Sequence, residues 1–178
     1  WAWAKQAGSS TSSDYGYDVV VDNATGKPIF TGYYGGTATF GANSYSGSGS
    51  YTTFVVKMSP SGGWDWVTTT SGASAGESIT LGAAGSVFIT GKLSGTATFG
   101  SDSITSAGSW DIWLGEVNST GSWVWAQNGG STGADHGLAI DSLVVTGSEY
   151  VWVTGTFAGE ATFGQQTIQS VRGNSAVF

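Results

Sequence analysis

The stretch TATFG occupies residues 37–41 and returns letter for letter at residues 96–100. A third copy with one residue changed, EATFG, occupies residues 160–164. Self-similarity at a fixed spacing is the signature of repeat architectures, in which each repeat is one supersecondary unit. The sequence therefore predicts that this chain of 178 residues is built from three repeats.

The repetition extends well beyond these five residues. Nine residues before the Phe of each copy stands a Thr-Gly pair, and fourteen residues after it stand Phe54, Trp113 and Val177. Ten residues further on, the first two repeats carry Trp-x-Trp, whereas the third ends at Phe178 and the chain opens with Trp-Ala-Trp. We assign the repeat core to Trp1, Trp3, Trp64, Trp66, Trp123, Trp125, Phe40, Phe99, Phe163, Gly32, Gly91 and Gly155.

Composition and spacing favour an all-β fold with four strands in each repeat. The 30 Gly residues separate runs rich in Val, Thr, Tyr, Phe and Trp, which are strand formers. The predicted strands of the first repeat are 17–22, 28–32, 53–58 and one that begins at Trp64. ATFG lies in the link between the second and third strands, as a short extra strand whose Phe points inward.

The displaced tryptophan pair determines the predicted domain organisation. Residues 1–7 form the outermost strand that completes the last unit, residues 8–70 the first unit, 71–129 the second, and 130–178 the third, which lacks its fourth strand. A ring of sheets that takes its last strands from both chain ends closes without exposed strand edges.

Several strand motifs resemble a known family. VFITG at 87–91, DIWLGEV at 111–117 and G-x-W-x-W at 121–125 resemble the blades of bacterial β-propellers of the SBBP-like type. The resemblance covers essentially the whole chain. It implies a propeller fold, a bacterial origin and an extracellular or envelope setting, and it implies no catalytic residues.

The number of repeats leaves two interpretations of the fold open. Propellers typically have about four to eight blades, so a propeller that contains this chain needs blades in addition to its three. Two chains joined head to tail would make a six-bladed homodimer in which Trp1 and Trp3 of one chain complete the last blade of the other; the alternative source is further blades of a longer chain. The other fold is a three-fold β-trefoil or β-prism, in which the displaced strand closes the chain on itself.

Charge excludes two classes of partner. Five basic residues stand against twelve acidic ones, for a formal charge of −7, so neither a nucleic acid nor an anionic membrane surface finds the cations that it requires. No run of eighteen apolar residues is present, which excludes membrane insertion by a helix. Low charge with abundant Gly, Ser, Thr and Trp favours an extracellular or cell-surface location, and we interpret the start at Trp1 as that of a mature or excerpted chain.

The sequence predicts no enzyme, cofactor or metal site. Gly72-x-Ser74-x-Gly76 matches a hydrolase pattern and His136 lies between Asp135 and Asp141. That pattern works only on a turn from a strand into a helix, and residues 77–81 are predicted to be a strand, so a hydrolase is a distant third hypothesis. With no Cys and one His, zinc lacks ligands, and Asp22–Gly26 is interpreted as a β-turn.

Six residues are candidates for ligand binding. Tyr51 and Trp110 occupy equivalent places 59 residues apart, with Asn174 as the third equivalent, and aromatic rings of this kind either cover sheet edges or stack on sugars. The other four candidates are Tyr33, Tyr34, Asp14 and Asp135. We expect a non-catalytic scaffold or protein-interaction module, with a lectin-like glycan binder as the alternative.

Overall fold

The computed structural model describes residues 2–48, 51–170 and 175–178, and its regular structure is all-β. The repeats at 8–70, 71–129 and 130–178 are called units 1, 2 and 3. Within the described residues no helix is long and apolar enough to cross a membrane. The one helical element in this part of the chain is a single 3₁₀ turn at Ala83–Gly85.

Unit 1 forms a four-stranded antiparallel sheet with a hairpin beside it. Its strands are β1 (Ala7–Ser9), β2 (Tyr15–Asp22), β3 (Lys27–Tyr34), β4 (Thr37–Phe40), β5 (Asn43–Ser46), β6 (Thr52–Met58) and β7 (Trp64–Thr69). The sheet order is β2-β3-β6-β7, and β4 lies between β1 and β5 in a second sheet. The predicted four strands and the extra strand at ATFG are confirmed.

Units 2 and 3 repeat this pattern with one difference. Unit 2 contains β8 (Ser71–Leu81), β9 (Val87–Phe99), β10 (Asp102–Thr105), β11 (Asp111–Val117) and β12 (Trp123–Gly129). Unit 3 contains β13 (His136–Val145), β14 (Ser148–Ala158), β15 (Glu160–Phe163), β16 (Gln166–Gln169) and β17 (Ser175–Val177). Unit 2 has four main strands, β8-β9-β11-β12, whereas the main sheet of unit 3 has three, β13-β14-β17.

The Thr-Gly pairs recur because two contacts need them. The first strand of each unit has an irregularity in register at an equivalent place, which in unit 1 lies between Gly16 and Asp18. The carbonyl oxygen just before it, that of Tyr15, lies where a Cβ on Gly32 would be; Gly91 and Gly155 face the same contact in their units. The Thr hydroxyl donates to the third strand: Thr31 to Phe54 (3.1 Å), Thr90 to Trp113 (2.8 Å) and Thr154 to Phe178 (2.6 Å).

The third unit has one residue more than the sequence spacing predicted. The ring that packs on Phe163 is that of Phe178, 4.9 Å away, just as Trp113 lies 4.7 Å from Phe99. Val177 is instead 78% exposed, so its assignment as the equivalent of Phe54 and Trp113 is wrong. The ring contact and the Thr154 hydroxyl bond determine the equivalence of Phe178 with Phe54 and Trp113.

The largest apolar core lies between units 1 and 2. Ile29 and Val55 of unit 1 are fully buried against a group from unit 2, whose members are Ile79, Val87, Ile89, Leu93, Ala97, Phe99, Trp113 and Val117. Burying one large aliphatic side chain contributes about 1.5–3 kcal/mol, so this interface is the main source of stability. A second core on the opposite face of unit 1 contains Phe40, Phe54 and Met58.

The N-terminal segment lies against unit 1 as the last strand of unit 1 lies against unit 2. The Trp3 indole Nε1 donates to the Pro60 carbonyl (2.8 Å), and the Trp66 Nε1 donates to the Ser119 carbonyl (3.1 Å). Each indole packs on a turn glycine with positive φ, Gly62 or Gly121. Strand β1 pairs with β4. Among the described residues of this chain, β17 has one neighbouring strand, β14. Trp1 lies outside the described residues.

Candidate binding site

The three units share a frame but differ at a few equivalent positions. Aligned on Gly16, Gly76 and Gly137, the first strands carry different residues on either side of this glycine. The equivalent sets are Tyr15, Ala75 and His136; Tyr17, Glu77 and Leu138; and Tyr33, Lys92 and Thr156. We call Tyr15, Tyr17, Tyr33, Tyr51, Glu77, Lys92, Trp110 and His136 the variable rim. Side chains that differ at equivalent positions, while the surrounding strand pairing is the same, indicate a surface that the fold itself does not require.

Four tyrosines form one continuous cluster in the rim. The Tyr33 ring centroid lies 5.2 Å from Tyr15, 5.9 Å from Tyr17 and 4.8 Å from Tyr51. Tyr33 is 8% exposed beneath its neighbours, whereas Tyr15 and Tyr17 are 50% and 47% exposed. Burial raises the pKa of Tyr33 to about 12, so its phenol stays protonated and neutral at physiological pH.

The cluster continues into unit 2 through Trp110. Its ring centroid lies 5.4 Å from that of Tyr51, edge to face, and the Lys92 Nζ lies 5.6 Å from the indole centroid. Lys92 also makes an ion pair with Glu77, with 2.9 Å between Nζ and Oε1. Desolvation lowers the pKa of His136, and the Lys92 charge lowers it further. His136 is therefore neutral at pH 7.

A polar cleft opens beside the tyrosines. It has a volume of about 360 Å³ and is lined by Thr11, Ser12, Ser13, Tyr33 and Tyr51. All five side chains carry a hydroxyl, which both donates and accepts hydrogen bonds. The cleft is therefore suited to a neutral polar ligand that also presents a flat face.

The two aspartate candidates accept hydrogen bonds from backbone N–H groups and so hold neighbouring loops in place. Asp14 accepts hydrogen bonds from the backbone N–H of Ser9 (2.6 Å) and of Gly35 (3.2 Å), which holds the loop that lines the cleft. Asp135 accepts them from Ser131 (2.6 Å) and Ala158 (2.8 Å) and is fully buried. Because Asp135 is fully buried, its carboxylate holds the backbone of unit 3 and does not face a ligand at the surface.

The structure separates Tyr34 from the other candidates. Neighbouring side chains on a strand point to opposite faces, so Tyr34 enters the second core while Tyr33 joins the rim. Tyr34 is fully buried, edge-on to Phe40 with 6.0 Å between ring centroids. Asn174 lies outside the described residues. Tyr15, Tyr17, Glu77 and Lys92 were not predicted; comparing the repeats on Gly16 would have found them.

The residues of the hydrolase hypothesis lie as follows. Ser74 is buried inside β8, which continues as a strand, and its hydroxyl contacts those of Thr53 (2.9 Å) and Thr70 (2.7 Å). Within the described residues, no three His, Cys, Asp or Glu side chains lie together as metal ligands. Asp22 makes the predicted turn, accepting hydrogen bonds from the Ala24 N–H (3.0 Å) and the Thr25 hydroxyl (2.6 Å).

A buried acid next to Trp110 provides a pH-dependent prediction. Asp111 is 1% exposed, one of its carboxylate oxygens has no hydrogen-bond partner among the described residues, and the Asp135 carboxylate lies on the same side of Gly130. Burial raises the pKa of Asp111, and the Asp135 charge raises it further. The folded state then binds this proton more tightly than the unfolded state, so this group costs stability as pH rises above the unfolded value of 3.8.

We therefore expect Asp111→Asn to raise the free energy of unfolding at pH 7 by about 1 kcal/mol, and the gain to vanish towards pH 4. Urea unfolding of both proteins across this range measures the difference. Asp22→Asn is the control of opposite sign. The Thr25 hydroxyl and Lys57 lower the pKa of Asp22 against a desolvation effect, so that variant should lose stability at pH 7 and approach the parent in acid. A loss for Asp111→Asn that is equal at both pH values would contradict the prediction.

Comparison with known proteins adds no assignment to this geometry: no family model matches the chain, and no curated protein matches it.

Proposed function

We propose that the chain supplies blades of a ring-shaped β-propeller, a non-catalytic extracellular or cell-surface module that acts as a scaffold or protein-interaction surface. The observation that carries this proposal is a pair of complementary exposed faces, one on unit 3 and one on unit 1. The face on unit 3 is equivalent to the face of unit 1 that packs on unit 2. The face on unit 1 is equivalent to the face of unit 2 that packs on unit 1. The sequence resemblance and the low-charge composition support the setting.

The outer face of unit 3 is apolar and exposed. Leu143, Val145, Tyr150 and Trp152 are 57%, 42%, 51% and 54% exposed. Trp152 stands three residues before Gly155, as Ile29 stands three before Gly32. Because Ile29 is fully buried against unit 2, the same face of unit 3 is the one that a following unit would cover.

The outer face of unit 1 is the counterpart. Val19 and Val21 are 51% and 45% exposed, and the register makes them equivalent to Ile79 and Leu81 of unit 2. Ile79 is 5% exposed because it packs against unit 1, and Leu81 packs on the same core. A preceding unit would therefore cover Val19 and Val21 in the same way. Adjacent exposed apolar side chains of this kind mark interaction surfaces.

A second copy of the chain matches both faces at once. Unit 3 of one copy packs on unit 1 of the next, and two copies give six blades with cyclic symmetry. Trp3 already makes the contact with its own unit 1 that Trp66 makes with unit 2. The segment 2–6, which precedes β1, would then form a strand beside β17 of the other copy and cover its edge. Further blades of a longer chain would meet the same faces.

The solution mass tests this proposal. We expect twice the chain mass of 18.1 kDa, and a stable, soluble monomer of one chain mass would overturn the six-bladed dimer. Trp152→Asp, which places a charge in the interface, should return the protein to a monomer. Val124→Asp is the matched control, because Val124 is 49% exposed and unit 1 has Asp65 at the equivalent position; this variant should remain a dimer. Thermal melting of both variants confirms that they fold.

A further inference from the structure

We infer that the cleft and tyrosines of the variable rim bind a neutral saccharide. This inference goes beyond the ring and does not depend on it, since the cleft and the tyrosines all belong to unit 1 of a single chain. It rests on three observations: a stacking surface, a cleft lined by hydroxyl-bearing residues, and an ion pair that balances the charges of the described rim residues.

The stacking surface consists of Tyr15 and Tyr17. Their ring centroids are 6.2 Å apart and their planes differ by 16°, so the two rings present nearly parallel faces. Both are about half exposed, and Tyr33 beneath them limits their movement. A saccharide has a C–H face that packs on an aromatic ring, while its hydroxyls reach the polar groups around it. Two such rings suit an oligosaccharide better than a single sugar.

The hydroxyl wall lies next to this surface. Thr11, Ser12 and Ser13 line the cleft together with Tyr33 and Tyr51. The Thr11 N–H donates to the Ser9 hydroxyl (3.1 Å), and Asp14 holds both Ser9 and Gly35. The loop is therefore fixed before a ligand arrives, which reduces the entropy lost on binding. A volume of about 360 Å³ is within the usual range of ligand pockets.

The charges at the site favour a neutral ligand. Lys92 is the one cation in the variable rim; its charge is compensated by Glu77, and its ammonium lies over Trp110. His136 is neutral, and the chain carries a net charge of −7. An acidic or sulfated glycan would find no free cation in this rim and would be repelled by the protein as a whole.

An aromatic groove can also bind a proline-rich peptide. The saccharide is favoured because all five residues that line the cleft carry a hydroxyl group, whereas polyproline recognition depends mainly on apolar grooves between rings. The peptide is therefore included as a competing outcome of the experiment below.

The experiment is calorimetric titration with the tetrasaccharides of cellulose, xylan, mannan and starch, and with a decaproline peptide. We expect at least one tetrasaccharide to bind with a Kd of about 1 mM or tighter, and decaproline not to bind. Tyr17→Ala and Tyr51→Ala should each weaken that binding at least about tenfold, because each removes a ring from the site. Val124→Ala is the control: it shortens a half-exposed side chain outside both the rim and the proposed dimer interface, and its affinity should stay within about twofold of the parent.

Hydroxyl-radical footprinting of the unmodified protein gives a readout that does not depend on a variant folding. The bound saccharide should protect Tyr15 and Tyr17 from oxidation and leave the oxidation of Trp125, which is partly exposed outside the rim, unchanged. The inference is overturned if none of the four saccharides binds, if decaproline binds in their place, or if a saccharide binds without protecting these tyrosines.

Discussion

Replacing Gly32 by alanine is expected to lower the free energy of unfolding by about 3 kcal/mol or more, whereas the same change at Gly16 should cost little. The two glycines face each other across β2 and β3. A Cβ on Gly32 would overlap the Tyr15 carbonyl oxygen and lie 2.9 Å from the Phe54 ring, while a Cβ on Gly16 would have nothing within 4 Å. The carbonyl belongs to the backbone of a paired strand, so it cannot move away without loss of the sheet.

Chemical unfolding of both variants at one protein concentration measures this difference. Gly16→Ala controls for the general effect of alanine on the unfolded chain, since both substitutions add the same methyl group. Equal stability of the two variants would show that the irregularity in β2 moves freely, and it would remove our explanation of the three Thr-Gly pairs.

Trp113→Ala is the second substitution with a large expected effect, a loss of about 3–5 kcal/mol. The side chain is fully buried at the centre of the core between units 1 and 2, with its ring 4.7 Å from Phe99. Its indole Nε1 donates to the carbonyls of Ala75 (3.1 Å) and Lys92 (3.2 Å). Alanine would leave a cavity as well as two carbonyls without this donor.

Trp113→Phe separates these two contributions. Units 1 and 3 carry Phe54 and Phe178 at the equivalent position, so a phenyl ring is compatible with the frame. This variant should lose about 1–2 kcal/mol, mainly from the missing indole donor and the smaller ring. If it were as unstable as Trp113→Ala, packing alone would not explain the size of the effect, and the hydrogen bonds would have to dominate.

The sequence predicted the frame well because the frame repeats. Strands 28–32 and 53–58 fall inside β3 and β6, and the role of Gly32 follows from an invariant spacing. One extra residue in unit 3 led to Val177 being assigned to the position that Phe178 occupies. Residue spacing detects an insertion only where a recognisable residue follows it. In unit 3 the equivalence of Phe178 is shown by its ring contact with Phe163, which is visible only in three dimensions.

The candidate site was predicted less well, for a physical reason. Tyr33, Tyr51 and Trp110 do meet, but Tyr34 points to the other face of its strand, and Asp14 and Asp135 hold backbone groups. The pairing of Lys92 with Glu77, on neighbouring strands of one sheet, depends on the irregular register of β8. Residues that differ among the repeats carry no periodic signal, so the features that distinguish the site are those that a search for repeats discards.

The passage of the chain from β7 to β8 has a mechanical consequence. Residue Thr70 lies between these strands, with its hydroxyl bonded to the Thr53 N–H (3.1 Å) and in contact with that of Ser74 (2.7 Å). The next residue, Ser71, pairs with Thr98 in unit 2. The last strand of unit 1 is therefore joined to the first strand of unit 2 through a single residue, Thr70, which is itself held by hydrogen bonds. A stretching force along the polypeptide would therefore act on adjacent units at the same time. We expect the units to resist extension together and not to separate one after another.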